Sequence, residues 1–197
     1  MSILERDFYN RPALDVARDL LGCRLVRMVD GQRLAGVILE SEAYQGEEDL
    51  GCHASAGRTP RTAVMYGEPG HAYVYFTYGI HWMFNVVTDQ PEIPSAVLIR
   101  AIHPVEGQNL MAQNRAYNAG KRGWTDGPAK LTQALAIDKT FNTVNLCTSD
   151  NDLWIESGKP VPDGRVQRSA RIGLNSVPEP WRSIPWRFNV NGGGLHD

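Results

Sequence analysis

The sequence predicts an α+β fold: a mixed, curved and mostly antiparallel β-sheet core with surrounding helices and a protruding β-hairpin. Two hairpin signals lie in the first half of the chain, helix patterns follow Pro104, and short strand patterns return over residues 151–190. Strand-rich and helix-rich stretches that are segregated along a chain are typical of this class. The length of 197 residues predicts a single domain, 1–197, with a sizeable core.

The N-terminal half is predicted to hold one helix followed by strands. The helix is expected to have Asn10 as its N-cap, to open at Pro12 and to end at Gly22. The dipeptide Asp30-Gly31 is the strongest short hairpin signal in the chain. The predicted strands are residues 23–29, 33–44, 72–76, 80–87 and 96–101.

Two further kinds of segment complete the predicted architecture. Residues 45–65 are rich in glycine, charge and small side chains, which indicates a long loop, and loops of that length in a compact domain tend to be functional. Helices are expected over residues 107–117 and 128–137, the second of them entered at Pro128.

The composition narrows the function classes. The chain is 42% hydrophobic and 21% charged, as in ordinary globular proteins. No apolar run approaches the roughly 20 residues of a membrane helix, and the first residues resemble neither a signal nor a transit peptide. We therefore expect a cytoplasmic protein without membrane contact.

No cofactor or metal is expected. The sequence lacks a phosphate-binding Gly-x-x-x-x-Gly-Lys loop, a dinucleotide fingerprint and a Gly-x-Ser-x-Gly elbow. Histidines without zinc-ligand spacing are His53, His71, His81 and His103. The cysteines, odd in number and widely spaced, predict reduced and mostly buried thiols: Cys23, Cys52 and Cys147.

The net charge of -2 gives no support for a polyanion partner, so local basic groups matter more than the sum. Each such group is typical of a solvated face, with a phosphate contact as the alternative. The groups are Arg58 with Arg61, Lys121 with Arg122, and Arg165 with Arg168 and Arg171.

An unusual strand face is the first candidate site. Because side chains alternate along a strand, Glu40, Glu42 and Tyr44 share one face. Unpaired carboxylates in a core would cost several kcal/mol, so this face meets either water or a polar cleft. A solvated strand face and a general base beside an aromatic wall are both consistent with the pattern.

The second hairpin is the other candidate. Its predicted turn places Tyr78 and Ile80 near an exposed tip, where large apolar side chains indicate a partner. Proteins that distort duplex DNA insert such side chains between base steps and extract a nucleotide into a pocket. The alternating apolar side chains of residues 80–86 are equally typical of a core strand.

With these residues in place, the chain resembles the alkyladenine (3-methyladenine) DNA glycosylase family, as a minimal member of bacterial type. The resemblance runs from about residue 8 to about residue 190. The motifs that carry it are residues 40–44 (ESEAY), 57–61 (GRTPR), 73–87 (YVYFTYGIHWMFNVV), 97–101 (VLIRA) and 127–135 (GPAKLTQAL).

The resemblance implies a reaction and a catalytic pair. The enzymes of this family flip alkylated or deaminated purines, such as 3-methyladenine, 7-methylguanine, hypoxanthine and ethenoadenine, out of duplex DNA and hydrolyse the N-glycosidic bond, leaving an abasic site. By this resemblance Glu42 activates the attacking water and Arg100 helps to hold the carboxylate and the water. Glu40 is expected to be structural or solvated.

The same resemblance implies the binding residues. Tyr44 and Tyr75 would sandwich the flipped purine, His53 would close the pocket, Asn85 would exclude normal guanine, and Tyr78 would fill the vacated stack. Side chains expected at the DNA backbone are Arg58, Arg61 and Lys130.

The expected partner is double-stranded DNA containing damaged purines, bound by a monomer without a cofactor. Departures from the family pattern at Cys52, Met83 and residues 91–95 fall beside the pocket and put the substrate range in doubt. The alternative function is a non-catalytic module that binds distorted DNA through the Tyr78 hairpin.

Overall fold

The computed structural model describes residues 1–116 and 123–191. The α-helices of this part are α1 (Arg6–Tyr9), α2 (Ala13–Asp19), α3 (Gln108–Asn114) and α4 (Pro128–Ala134). The strands are β1 (Arg24–Val29), β2 (Gln32–Gln45), β3 (Ala72–Thr77), β4 (His81–Val87), β5 (Ser95–Glu106), β6 (Leu153–Glu156), β7 (Val166–Ser169) and β8 (Arg187–Val190). Short 3₁₀ turns cover His53–Ala56, Ala63–Tyr66, Lys139–Phe141 and Asp163–Arg165.

The strands form one curled sheet, a half-barrel, which confirms the predicted α+β class. Along its main path the order is β3-β4-β5-β2-β1-β6, and β8 joins β2 while also pairing with β7. Each of these pairings is antiparallel. The predicted hairpins are confirmed, with β1–β2 turning at Asp30-Gly31 and β3–β4 turning after Thr77.

The long strand β2 positions the site. Its first half lies between β1 and β5, whereas Glu40, Ser41 and Glu42 lie between β5 and β8. The register with β5 is irregular on both sides of Glu40. Bulges of this kind are frequent beside active sites because they redirect side chains. The two carboxylates thus stand where β2 changes its neighbour.

The core lies between the sheet and helices α2, α3 and α4. Its largest fully buried side chains include Tyr9, Phe84 and Phe188. A smaller apolar cluster lies under the loop after β2, where Cys52, Met65 and Tyr73 pack together with partial cover from Tyr44 and Tyr75. This second cluster supports the candidate site.

The N-terminal prediction was right about the helix and wrong about its cap. Asn10 ends α1, a short helix that the sequence analysis missed, and Pro12 occupies the N-cap position of α2 without a side-chain hydrogen bond. Instead, the backbone N–H of Ala13 donates to Oε1 of Gln45 at 2.9 Å. A residue distant in sequence therefore satisfies this helix end.

The structure also corrects the end of β5, because the strand continues through Pro104 to Glu106. Proline cannot donate a ladder hydrogen bond, and Pro104 sits opposite Gly36 at a register irregularity that accommodates it. The helix that follows is α3, and the predicted end of that helix at Tyr117 lies outside the described residues, as do Lys121 and Arg122.

The predicted loop and the predicted thiols agree with the structure. Residues 45–65 form a loop that contains 3₁₀ turns but no strand beyond Gln45. All three cysteines are free thiols, buried at Cys23 and Cys52 and half-buried at Cys147. Among the described helices, none is long and apolar enough to cross a membrane.

Candidate active site

A cavity of about 320 Å³ opens between the β3–β4 hairpin, β5, the loop after β2 and the segment 172–174. Aromatic and apolar side chains dominate its wall, with a few polar groups among them. The lining includes Tyr44, His53, Met65, Tyr73, Tyr75, Tyr78, Met83, Asn85, Arg100 and Ile172. Its composition and size are typical of a small-ligand pocket.

Glu42 lies directly behind this wall and is fully buried. Its Oε2 accepts hydrogen bonds from the Tyr44 hydroxyl at 2.9 Å and from Nη1 of Arg100 at 3.4 Å. Its Oε1 accepts from the backbone N–H of Ile172 at 2.7 Å. Burial raises the pKa of Glu42, with the charge of Arg100 as the main opposing influence. A buried carboxyl at a cavity wall with a raised pKa is typical of a functional site.

Glu40 has a structural role. Its Oε1 accepts from Nε of Arg100 at 2.8 Å and from Nη1 of Arg187 at 3.2 Å. Its side chain is only 18% exposed, so the alternative of a solvated strand face is wrong for this residue. Glu40 holds the Arg100 guanidinium while that group also reaches Glu42.

The aromatic wall is built from two different parts of the chain. Tyr75 comes from β3 and His53 from the loop after β2, and their rings meet edge to face with centroids 4.6 Å apart. Nδ1 of His53 lies 2.9 Å from the Tyr73 hydroxyl. His53 as a whole residue is exposed, but one side of its ring is shielded from water. This desolvation is the larger cause, and the charge of Arg61 the smaller, of a pKa lowered to about 4. The imidazole is therefore neutral at pH 7.

Asn85 lies deep in the site, whereas Tyr78 lies at its rim. Asn85 is buried in the cavity wall, and its Nδ2 donates to the backbone carbonyl of Tyr73 at 3.0 Å. Tyr78 stands at the rim on the hairpin tip with 85% of its surface exposed. Phe76 and Ile80 beside it are also exposed, so the tip presents an apolar surface.

The three basic side chains expected at the DNA backbone differ in their surroundings. Arg58 pairs with Glu92 at 3.0 Å on the surface. Arg61 is exposed, with its guanidinium carbon 4.7 Å from the centroid of the Tyr75 ring. Nζ of Lys130 lies 2.5 Å from a carboxylate oxygen of Asp126. Arg61 therefore contacts a residue of the cavity wall.

The part of the chain that the structure describes holds no cluster of three His, Cys, Asp or Glu side chains that could bind a metal ion. Its cavity lining includes no lysine either. The polar groups at the cavity include the buried carboxylate of Glu42, the Arg100 guanidinium, the His53 imidazole, the Asn85 amide and tyrosine hydroxyl groups.

Comparison of the sequence with known proteins places the chain in a family. A sequence profile described as "Methylpurine-DNA glycosylase (MPG)" matches residues 7–193. The chain belongs to the methylpurine-DNA glycosylase family. The enzymes of this family are DNA glycosylases of DNA repair, which confirms the resemblance seen in the sequence motifs.

Relatives of this glycosylase cover nearly its whole length. Proteins named "Putative 3-methyladenine DNA glycosylase" are 48% identical in Myxococcus xanthus, 47% in Carboxydothermus hydrogenoformans and 45% in Methanocella arvoryzae. The alignments cover 96%, 94% and 95% of this chain, and 91%, 94% and 92% of those relatives.

The structure brings the catalytic and base-binding residues expected from the glycosylase resemblance to one cavity or its immediate wall, whereas Arg58 and Lys130 lie outside the lining. It also reveals a contact that the sequence analysis missed. Arg171, expected on a solvated face with Arg165 and Arg168, is buried and paired with Asp49. The three-residue spacing of these arginines gave no sign of this, because the segment that holds Arg171 is not a regular strand or helix.

Proposed function

We propose that this chain is a monofunctional DNA glycosylase of base excision repair. It would flip alkylated or deaminated purines out of duplex DNA and hydrolyse their N-glycosidic bond with a water activated by Glu42. The proposed substrates are 3-methyladenine, 7-methylguanine, hypoxanthine and ethenoadenine. Family membership supports the general role, and the arrangement of the cavity supports the specific chemistry.

The observation that carries the proposal is a buried carboxylate at the wall of an aromatic cavity. A flat purine fits between aromatic faces, and Tyr44 and Tyr75 both line the cavity. Glu42 hydrogen-bonds to Tyr44 and to Arg100 of the same wall. A base held in this cavity would therefore have its glycosidic bond close to the buried carboxylate of Glu42.

The proposed reaction is a single displacement. The water oxygen attacks C1′ of the flipped nucleotide while its proton passes to Glu42. The bond between C1′ and the base nitrogen breaks, and its electron pair leaves with the base. The transition state resembles an oxocarbenium ion, and a nearby carboxylate also stabilises that positive charge. A Schiff-base lyase step would need an amine nucleophile such as a lysine, and the described lining of the cavity has no lysine.

The free protein covers the carboxylate that this reaction needs. Glu42 has no exposed surface, and the Tyr44 hydroxyl occupies its Oε2. The mechanism therefore requires a group over the carboxylate to move aside when the nucleotide enters, and the Arg100 guanidinium, with its long contact of 3.4 Å to Oε2, is the candidate. Catalytic hydrogen bonds commonly reach their working geometry only in the substrate complex.

Cationic and neutral lesions make different demands on this site. A cationic alkylpurine such as 7-methylguanine leaves as a neutral base, so one general base suffices. Hypoxanthine needs a proton on leaving, and His53, with a pKa of about 4, is not a protonated acid at pH 7. We expect the cationic lesions to be excised faster.

The hairpin tip fits the step that precedes the chemistry. Tyr78 is exposed at the rim of the cavity, where an inserted ring would fill the space left by the flipped nucleotide. Unstacking a base step costs a few kcal/mol, which an inserted aromatic ring partly restores.

We further propose that one domain, 1–197, does this as a monomer on double-stranded DNA in the cytoplasm, with Arg58, Arg61 and Lys130 near the backbone. Light scattering of the complex would test the stoichiometry.

The decisive experiment is single-turnover excision by Glu42→Gln on a duplex with one 7-methylguanine. We expect excision to fall by roughly 10²–10⁴-fold, as for loss of a general base, while lesion binding persists. Glu48→Gln, an exposed acid in the loop after β2, is the matched control and should excise at the wild-type rate. If Glu42→Gln excises at the wild-type rate, Glu42 is not the general base. If the wild-type protein binds the lesion duplex but releases no base, it is a binding module.

The pH dependence gives a second test. Water is activated only by the ionised carboxylate, so excision of 7-methylguanine should be lost as the pH falls through the pKa of Glu42. Because burial raises that pKa, the acid limb should lie at higher pH than for an ordinary glutamate. His53 should add no second limb between pH 5 and pH 8, since its pKa is about 4. Single-turnover rates measured over this range would check both statements.

A further inference from the structure

The ion pair between Arg171 and Asp49 lies just behind the cavity wall and has no role in the chemistry above. Both side chains are fully buried, and the contact is bidentate, with Nη1 to Oδ2 at 2.5 Å and Nη2 to Oδ1 at 2.7 Å. The guanidinium also donates to the backbone carbonyls of Ala43 at 3.0 Å and of Trp181 at 3.3 Å. A forked arginine matches two carboxylate oxygens at a defined angle, so the pair fixes orientation as well as charge.

Arg171 lies beside two groups that hydrogen-bond to Glu42. Its guanidinium carbon lies 4.6 Å from the centroid of Tyr44, whose hydroxyl donates to Glu42. The next residue along the chain is Ile172, whose backbone N–H donates to the other oxygen of the same carboxylate. Two of the three hydrogen bonds to Glu42 therefore depend on where Arg171 is held.

The aspartate end organises the loop that leads to His53. Oδ1 of Asp49 accepts from the backbone N–H of Gly51 at 2.9 Å, and Oδ2 accepts from that of Gln45 at 3.3 Å. The backbone carbonyl of Asp49 accepts from the N–H of Cys52, the residue before His53, at 2.8 Å. The ion pair thus joins the end of β2, this loop and the segment after Arg171.

The loop and the segment are in close contact at Gly51. A Cβ at this position would lie 2.7 Å from Nη2 of Arg171 and 2.7 Å from a methyl carbon of Leu174. The guanidinium cannot yield easily, because it is buried and held by the hydrogen bonds described above. Glycine at position 51 therefore allows the two segments to meet at the distance that the ion pair requires.

Stability alone is a weak reason for such a pair. Desolvating two charges costs about as much as their attraction returns, and well-packed apolar side chains often replace a buried ion pair without loss. Such a pair gives geometric specificity instead, and here the geometry is that of the groups around Glu42.

We propose that Arg171 and Asp49 are positioning residues, which hold the Ile172 N–H and the Tyr44 ring against Glu42 in the arrangement that excision needs. This inference rests on the proposed function. It predicts that disturbing the pair changes the ionisation of Glu42, which a purely structural pair would leave alone. Loss of an N–H donor from the carboxylate favours the protonated acid, so the pKa of Glu42 would rise.

Other charges near Glu42 stay in place in this test. The titratable and charged groups that face it are Arg100 on β5, Glu40 and Tyr44 on β2, Tyr75 on β3 and Arg187, which pairs with it in register on β8. The variants below alter none of these side chains, and Arg171→Lys and Gly51→Ala also keep both charges of the pair, so a shift in their acid limbs reports on the positions of the groups around the carboxylate.

The experiment compares pH profiles of single-turnover excision, at saturating enzyme, on a duplex with one 7-methylguanine opposite cytosine. The variants are Arg171→Lys, which keeps the charge and loses the fork, Gly51→Ala, and the double variant Asp49→Leu with Arg171→Met, which leaves no unpaired charge. We expect each to lower excision at pH 7 by about 10²-fold, as for misplacement of a reacting group by about 1 Å. The acid limb should move upward by about one pH unit, as for loss of a hydrogen bond to a charged group.

The matched control is Glu156→Gln, which breaks the bidentate ion pair with Arg33 at the other end of the sheet. It should lower the thermal midpoint without moving the acid limb. Unchanged acid limbs in all three site variants would overturn the proposal, and so would failure of all three to fold, because the pair would then be structural. If the wild-type protein excises nothing, the proposed function itself fails. If it excises and only the limbs stay fixed, the positioning role alone is wrong.

Discussion

The two hairpins of this protein turn on the same backbone conformation but with opposite side-chain chemistry. In the β1–β2 turn, φ is 48° at Asp30 and 77° at Gly31, and in the β3–β4 turn it is 52° at Tyr78 and 69° at Gly79. Both central residues of each turn are therefore left-handed, as tight hairpins of type I′ require. Aspartate tolerates this region, whereas a bulky aromatic residue there is uncommon.

The difference between the two turns shows where the chain carries backbone strain. Asp30 is a polar residue on an exposed turn far from the cavity, and its sequence signal is favourable. Tyr78 combines an unfavourable φ with 85% exposure of an apolar ring. Backbone strain of this kind persists where the surrounding structure enforces it and clusters at functional sites. The contrast supports Tyr78 as the residue that meets DNA.

The largest expected difference between the turns is in activity. Tyr78→Ala removes the ring that would fill the vacated stack, and we expect about 10- to 100-fold weaker excision at subsaturating enzyme, as for loss of one stacking contact. The same substitution at Asp30 should leave excision at the wild-type rate. Single-turnover rates on 7-methylguanine duplex would measure both, and equal effects at the two positions would remove the functional distinction between the hairpins.

A smaller effect is expected on folding stability, in opposite directions. Exchanging the residue types makes Asp30→Tyr less stable and Tyr78→Asp more stable, each by about 1 kcal/mol, because only the aspartate suits the left-handed position. Chemical denaturation of both variants would measure the free energy of unfolding. A destabilised Tyr78→Asp would show that the tyrosine ring makes stabilising contacts that outweigh the strain of its backbone.

The smallest expected difference concerns the glycines. A Cβ at Gly31 or at Gly79 would meet no other atom within 4 Å, so only the left-handed backbone opposes a side chain. We expect Gly31→Ala and Gly79→Ala to lose about 1 kcal/mol each and to agree with one another within about 0.5 kcal/mol. Thermal melts of the two variants would test this. Unequal losses would mean that the turns differ in backbone energetics as well as in side chains.

Local rules predicted much of the framework. The Asp30-Gly31 signal, the alternation on β2 and the exposed tip at Tyr78 were all readable, because each depends on residues within a few positions of one another. The sequence-based predictions were wrong where residues distant in sequence determine the ends of helices and strands. The end of α2 is satisfied by Gln45 rather than Asn10, and β5 continues through Pro104 because its partner strand is irregular there.

The residues of the candidate site also fall into two groups, those predicted from the sequence and those found only in the structure. The resemblance identified Glu42, Arg100, Tyr44, Tyr75, His53, Asn85 and Tyr78 by motif, and the structure places them around one cavity. Glu40 could not be assigned from the strand alternation alone, since its partners come from β5 and β8. Asp49 and Arg171 lie more than a hundred residues apart, so no spacing rule could pair them.

By itself, the sequence determined the fold class, the family and the residue types available for chemistry, because these follow from periodicity, turn residues and ordered motifs. Only the tertiary structure decided which groups surround the carboxylate of Glu42. The Ile172 N–H on one oxygen and the Tyr44 and Arg100 contacts on the other come from three segments: β2 itself, β5 and the segment after β7. A pKa depends on that three-dimensional environment, which a linear pattern does not specify.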